Sequence, residues 1–138
     1  MLPRDARMRR SEDFRRTVRH GVRAGRRTVV VHALQVDAER DMNDPDVNHP
    51  DANDTGANDT GASGHRIGFV VSKAVGSAVC RNRVRRRLRH LARVQLPGLP
   101  IRTLVVVRAL PPSASAGPEL GRDLEAAWAA ALARLARR

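Results

Sequence analysis

Ile67-Gly-Phe-Val-Val-Ser72, then Lys73-Ala-Val-Gly76-Ser77, then Ala-Val79-Cys80-Arg-Asn-Arg-Val84-Arg-Arg-Arg-Leu88-Arg-His-Leu91-Ala-Arg-Val-Gln95: this stretch decides the fold. Its first part alternates with period two. Over residues 66–72 it predicts a strand with Ile67, Phe69 and Val71 on one side and Arg66, Gly68, Val70 and Ser72 on the other. The small residues on the second side either leave room for something to approach the sheet or make an ordinary wet face. The period then changes. Over residues 79–95, at about 100° per residue, Cys80, Val84, Leu88, Leu91 and Gln95 fall within a sector of about 80°, narrower than the usual apolar face of a surface helix. Pro97, Gly98 and Pro100 end this helix.

The remainder of the helix is mostly arginine. Arg81, Arg85 and Arg89 make one row at i, i+4 spacing, while Asn82, Arg86, Arg89 and Arg93 stand opposite the apolar stripe. Like charges at these spacings repel by tenths of a kcal/mol each, and the helix contains no acid to offset them. A merely solvated helix face usually mixes both signs, so a single-sign face points to an external polyanion. Gly76 can turn the chain and aim the backbone donors of the helix start at a phosphate.

The whole chain agrees in sign. Its 138 residues carry 26 Lys plus Arg against 14 Asp plus Glu, a net charge of +12, and all the cations but Lys73 are arginine. Arginine's planar fork suits phosphate, and neutralising phosphates releases condensed counterions. Residues 37–64 are the exception, with eight of the fourteen acids and Arg40 as sole base. That segment is −7, and 25 cations against 6 acids leave +19 on the other 110 residues. Its Asp, Asn, Thr, Gly and Ala composition, with the tandem 52–56 and 57–61, predicts an acidic disordered loop inserted in a single polyanion-binding domain spanning 1–138.

Outward from the centre, Ser11 can cap a helix with Glu12 and Asp13 in its first turn and Gly21 as its stop, with Phe14 and Val18 on one face. Residues 28–36 and 101–109 predict two further strands, and 111–118 a turn-rich connector. Leu120, Leu124, Trp128, Ala131 and Leu135 predict an amphipathic helix covering the sheet. Helix, strands, helix, strand, helix is an α+β order. One cysteine, Cys80, permits no internal disulfide and is expected to pack in the core; no zinc spacing exists. Apolar runs are too short to cross a bilayer, and the Arg4 to Arg10 cluster leads into ordinary helix, so a cytoplasmic, untargeted protein is expected. Asp51 to Gly56 echoes a calcium loop but places Ala62 where a bidentate Glu belongs.

Residues 67–90 resemble the bacterial ribonuclease P protein component. That family's signature is a strand ending in Ser-Lys followed by Val-Gly-x-Ala-Val-x-Arg-Asn-Arg-x-Lys/Arg-Arg, which Ser72-Lys73 and residues 75–86 match. The flanking elements also fall in the family's order. The resemblance implies an α+β fold with a central, mainly antiparallel sheet and a left-handed βαβ crossover through the arginine helix, like the second domain of small-subunit ribosomal protein five. It implies a partner for a catalytic RNA that removes 5′ leaders from precursor tRNA. The partners are then the catalytic RNA and precursor tRNA, with no membrane and no obligate protein partner. No cofactor is expected on the protein alone, and Mg2+ with the RNA. Lys73, Arg81, Asn82, Arg83, Arg85, Arg86, Arg87, Arg89 and Arg93 form the expected RNA-binding set. Phe14, Val18, His32, Arg66 and Ser72 form the expected leader cleft, with no catalytic side chain and no protein-held metal.

The sequence departs from the family at Val18 and His32, where many relatives carry aromatics, and at Ala74 in place of a second lysine. Phe14 can also be read as a core residue paired with Val18. Two other functions compete: a ribosomal or ribosome-assembly RNA-binding protein, and a DNA-binding basic helix, which lacks any dimerising heptads beyond Pro97.

Overall fold

In the computed structural model, the described residues are 8, 11–36, 65–100 and 102–138. The acidic segment 37–64 and Ile101, the expected first residue of the last strand, lie outside them. Three helices, α1 (Ser11–His20), α2 (Ala78–Gln95) and α3 (Glu119–Ala136), accompany four strands, β1 (Val22–Gly25), β2 (Val29–Gln35), β3 (Arg66–Val71) and β4 (Thr103–Ala109). The strands form one sheet in the order β1-β2-β4-β3. β1 with β2 and β2 with β4 are antiparallel; β3 with β4 is parallel, joined through α2. The sheet is therefore mixed and mainly antiparallel, as expected.

Alternation sorts the sheet into two faces. Val29, Val31, Ala33, Ile67, Val71, Val105, Val107 and Ala109 share a core with Val84, Leu88 and Ala92 of α2 and with Leu120, Leu124, Ala127, Trp128, Ala131 and Leu135 of α3. Ile67, Val71, Val84, Leu88, Leu120, Leu124, Trp128, Ala131 and Leu135 were legible as apolar period; Ala92 and Ala127 were not, because small side chains carry little signal. The opposite face is only partly covered: α1 lies over it, and Met8, Leu104 and Val106 cluster there with Phe14, Val36 and Val70. Met8 is tied to the edge of β3 by its N–H, which donates to the Ile67 carbonyl at 2.7 Å.

Apart from one-residue trims at the ends of β2 and β3, the structure departs from the sequence expectation in three places, each for a local reason. β1 was not foreseen, because Val22-Arg-Ala-Gly25 has no extended apolar alternation; it is a strand because its residues pair from Val22↔Ala33 to Gly25↔Val30. α2 begins one residue early because Ser77 caps it, its Oγ accepting from the Cys80 N–H at 3.3 Å. β4 begins at Thr103 because Arg102 takes a left-handed φ of 59° and the Thr103 hydroxyl donates to the Pro100 carbonyl at 2.9 Å, closing a turn first.

α3 is fastened to the start of β2 by polar contacts as well as by Trp128. Asp123 Oδ2 accepts from the Thr28 hydroxyl at 2.6 Å and from the Thr28 N–H at 3.1 Å, and Thr28 is fully buried. Asp123→Ala leaves both buried donors without an acceptor and is expected to lower stability by about 2 kcal/mol, read as a shifted urea midpoint at unchanged m. An unaltered midpoint would mean that water replaces the carboxylate.

Candidate nucleic-acid interface

Two surfaces gather the residues singled out in the sequence, on opposite faces of the sheet. The first is the outer side of α2. Its inner stripe is Val84, Leu88 and Ala92, with Cys80, Leu91 and Gln95 half-buried beside it. Asn82, Arg83, Arg86 and Arg93 are exposed, and Lys73 is exposed on the short 3₁₀ turn Lys73–Val75 that precedes the helix. No acid occupies the first turn of α2. Arg85 is held in its row by Asn82, whose Oδ1 accepts from Arg85 Nη1 at 3.2 Å. Arg81 and Arg89 are half-buried, and the Nε of Arg81 is enclosed with no hydrogen-bond partner among the described residues.

Arg87 is placed differently from its neighbours. Its Nη1 donates to the Ala116 carbonyl at 2.6 Å and its Nη2 to the Gly117 carbonyl at 2.7 Å. The fork thus clamps the connector ahead of α3 onto α2, a role that needs arginine's paired donors rather than charge alone. Charge pattern in the sequence could not separate this arginine from the others.

Two glycines set the geometry. Gly76, just before the cap, has φ 154° and ψ −160°, a conformation essentially restricted to glycine, and an added Cβ would lie 3.1 Å from Cys80 Sγ and 3.2 Å from Cys80 Cβ. Gly68 is a matter of space: an added Cβ would meet Phe14 Cζ at 2.3 Å and Cε1 at 2.4 Å.

The second surface is the candidate groove, the strip of sheet face that lies beside α1. Phe14 rests on Gly68, half-buried, so it packs against the Leu104 and Val106 cluster at the edge of this strip. Val18, one turn on, is 47% exposed. His32 lies on the same face of β2 and is 5% exposed, with its Nδ1 unpartnered among the described residues. Arg66 and Ser72, at positions six apart along an extended chain, are separated by roughly 20 Å and do not join one pocket: Arg66 is at the end covered by Phe14 and Val36, Ser72 at the open end.

Two residues that the sequence reading omitted stand beside His32. Arg23 is its cross-strand partner on β1, and Arg108 on β4 pairs with Val30, two residues away on the same face. Strand parity in residues 104–108 could have found Arg108; Arg23 was hidden because β1 itself was. Burial holds the His32 imidazole below its ordinary value of 6.5, and the Arg23 and then the Arg108 guanidinium push it further the same way. The unfolded chain therefore takes up this proton first as pH falls. Stability is lost from about pH 6.5 down to the lowered native value and then levels off. His32→Gln is expected to flatten that acid limb in urea melts run between neutral and acid pH; an identical limb would exclude His32 as its source.

Among the described residues no three His, Cys, Asp or Glu side chains come together in a metal-ligating group, and no helix is long and apolar enough to cross a membrane.

Residues 2–132 match the family described as Ribonuclease P. The chain is 52% identical to the ribonuclease P protein component of Salinispora tropica over 100% of this chain and 98% of the relative, and 46% identical to that of a Nocardioides species over 91% and 90%. Among solved structures it is similar to the Staphylococcus aureus RNase P protein, with TM-score 0.65 at 22% identity over 91% of this chain and 94% of that one. The Thermotoga maritima RNase P protein gives TM-score 0.51 at 20% identity over 94% and 93%. The structural likenesses carry the α+β fold, and the sequence matches carry the membership: the chain belongs to the ribonuclease P protein family, the protein component of a ribonucleoprotein endoribonuclease.

Proposed function

We propose that the chain docks the catalytic RNA of ribonuclease P on the outer face of α2 and takes the single-stranded 5′ leader of precursor tRNA into the groove between α1 and the open end of the sheet, supporting 5′ maturation of tRNA in the cytoplasm. The observation that carries this reading is the outer face of α2. Asn82, Arg83, Arg86 and Arg93 are exposed together on a helix with no acid, so the repulsion among them is relieved by an external polyanion. The groove adds a second basic surface, with Arg23 and Arg108 flanking the neutral imidazole of His32 and with Phe14 and Val18 along one wall. Cations along a groove with a few flat or apolar side chains are what a lone strand needs. The bond-breaking step is assigned to the RNA and its magnesium; the protein's part is electrostatic and positional.

Reconstitution tests the reading. Purified protein is expected to lower the magnesium needed by a matched bacterial catalytic RNA to cut precursor tRNA, and no effect at any protein concentration would sink it. Arg86→Ala should weaken binding to the catalytic RNA and reduce the slope of log K against log salt by about one, as loss of a phosphate contact does. A slope equal to wild type would remove Arg86 from the docking face.

A further inference from the structure

Three large apolar side chains are exposed among the described residues, and two of them sit on α2: Val79 at 71% and Val94 at 73%. Fifteen residues apart on a helix, they are separated by about 60° in azimuth and about 22 Å along the axis. Both belong to the outward half of α2, with exposed Arg83, Arg86 and His90 between them. Neither has an internal packing role at such exposure, and valine is a poorer helix residue at a solvated position than alanine. The basic helix is thus bracketed by an apolar residue at each end.

Charge complementarity selects the occupant. A second copy of this chain laid on this face would set arginine against arginine, whereas RNA brings the missing anions. Phosphates gain nothing from a valine methyl; bases do. In a continuous A-form duplex the bases are stacked, the major groove is too deep and narrow to enter, and the minor groove offers mainly hydroxyls and edges. Exposed apolar side chains fit unstacked bases in loops and junctions instead. Resting on the reading of α2 as the docking helix, we propose that α2 seats on an interrupted, folded stretch of RNA, with one unstacked base against Val79, another against Val94, and the arginines between them on phosphates.

The test compares the full-length wild type with Val79→Ala/Val94→Ala. Affinity for the catalytic RNA, and for an uninterrupted RNA duplex of similar length, is measured across a series of salt concentrations. Removal of both pairs of methyls should weaken binding to the catalytic RNA roughly tenfold at every salt concentration. The salt slope should not change, because no phosphate contact is lost. Duplex affinity should be the same for both proteins, and the melting temperature should be equal or higher in the variant. Val79→Thr/Val94→Thr, nearly isosteric but polar, should lose affinity in the same direction with the fold intact. Equal affinity of wild type and variants for the catalytic RNA overturns the proposal while leaving the docking helix standing, and so does a parallel loss on the duplex. A concentration-dependent dimer that dissociates in the double alanine variant also overturns it, since a second copy would then cover the valines. Wild-type protein that prefers neither RNA sinks the docking reading and this inference with it.

Discussion

Alanine at Gly68 should destabilise the protein by about 2–3 kcal/mol in urea unfolding, the range expected for overpacking a filled contact. The added methyl would sit 2.3 and 2.4 Å from the Phe14 ring and 3.0 Å from Met8 Cβ. Neither neighbour retreats freely. Met8 is fastened through its N–H to the Ile67 carbonyl. Phe14 belongs to a helix whose Thr17 is fully buried, with the Thr17 hydroxyl bonded back to the Asp13 carbonyl at 2.7 Å. Relief requires α1 to lift from the sheet, opening the small cluster of Leu104 and Val106. The cause can be isolated with Phe14→Ala, which removes the ring the methyl strikes. The loss in Gly68→Ala/Phe14→Ala should be smaller than the sum of the two single losses by more than about 1 kcal/mol. Additive losses would show that the ring is not the obstacle. Because Phe14 borders the groove, Gly68→Ala should also weaken binding of a leader-bearing precursor more than binding of the catalytic RNA alone.

Alanine at Gly76 should cost about 2–4 kcal/mol, combining a glycine-only backbone conformation with crowding against Cys80. The damage falls at the entrance to α2: the residue precedes Ser77, whose hydroxyl caps the helix, and follows the turn that carries Lys73. Cys80→Ala in the same chain removes the 3.1 Å contact with Sγ but keeps the 3.2 Å contact with Cβ and the φ of 154°. Partial recovery is therefore expected, and full recovery would mean that the backbone conformation carries no strain. Near-native stability of Gly76→Ala itself, measured by thermal melting, would refute the conformational account.

What could be read from the chain in advance follows a physical division. Apolar periods of two and 3.6 residues and runs of β-branched residues are local signals, and they placed β2, β3, α1, α2 and α3 close to their observed bounds. β1 is short and carries its strand identity in pairing with β2, a partner that the four residues themselves do not specify. The basic face of α2 was legible as a charge pattern because its excess of one sign needs no tertiary information. The partition among its arginines was not, since Arg87 turns to carbonyls about thirty residues away. The groove was half legible: Phe14, Val18 and His32 share a face, Arg66 and Ser72 stand at opposite ends of it, and Arg23 and Arg108 join only when the strands are set side by side.

The strand order also has a consequence for how this protein is made. β4 is the last strand in the sequence and stands between β2 and β3, pairing with both. Until residues 103–109 have been made, the β1–β2 hairpin and β3 lack the strand that pairs with both, and each keeps an open edge. α2, made earlier, already carries its row of cations. The nascent chain thus shows its arginine-rich helix before its sheet can close, a non-local topology of the slow-folding kind. A polyanion bound to α2 at that stage would favour the helical state of the chain and screen its positive charge from itself, which would couple assembly to folding through the order of the strands.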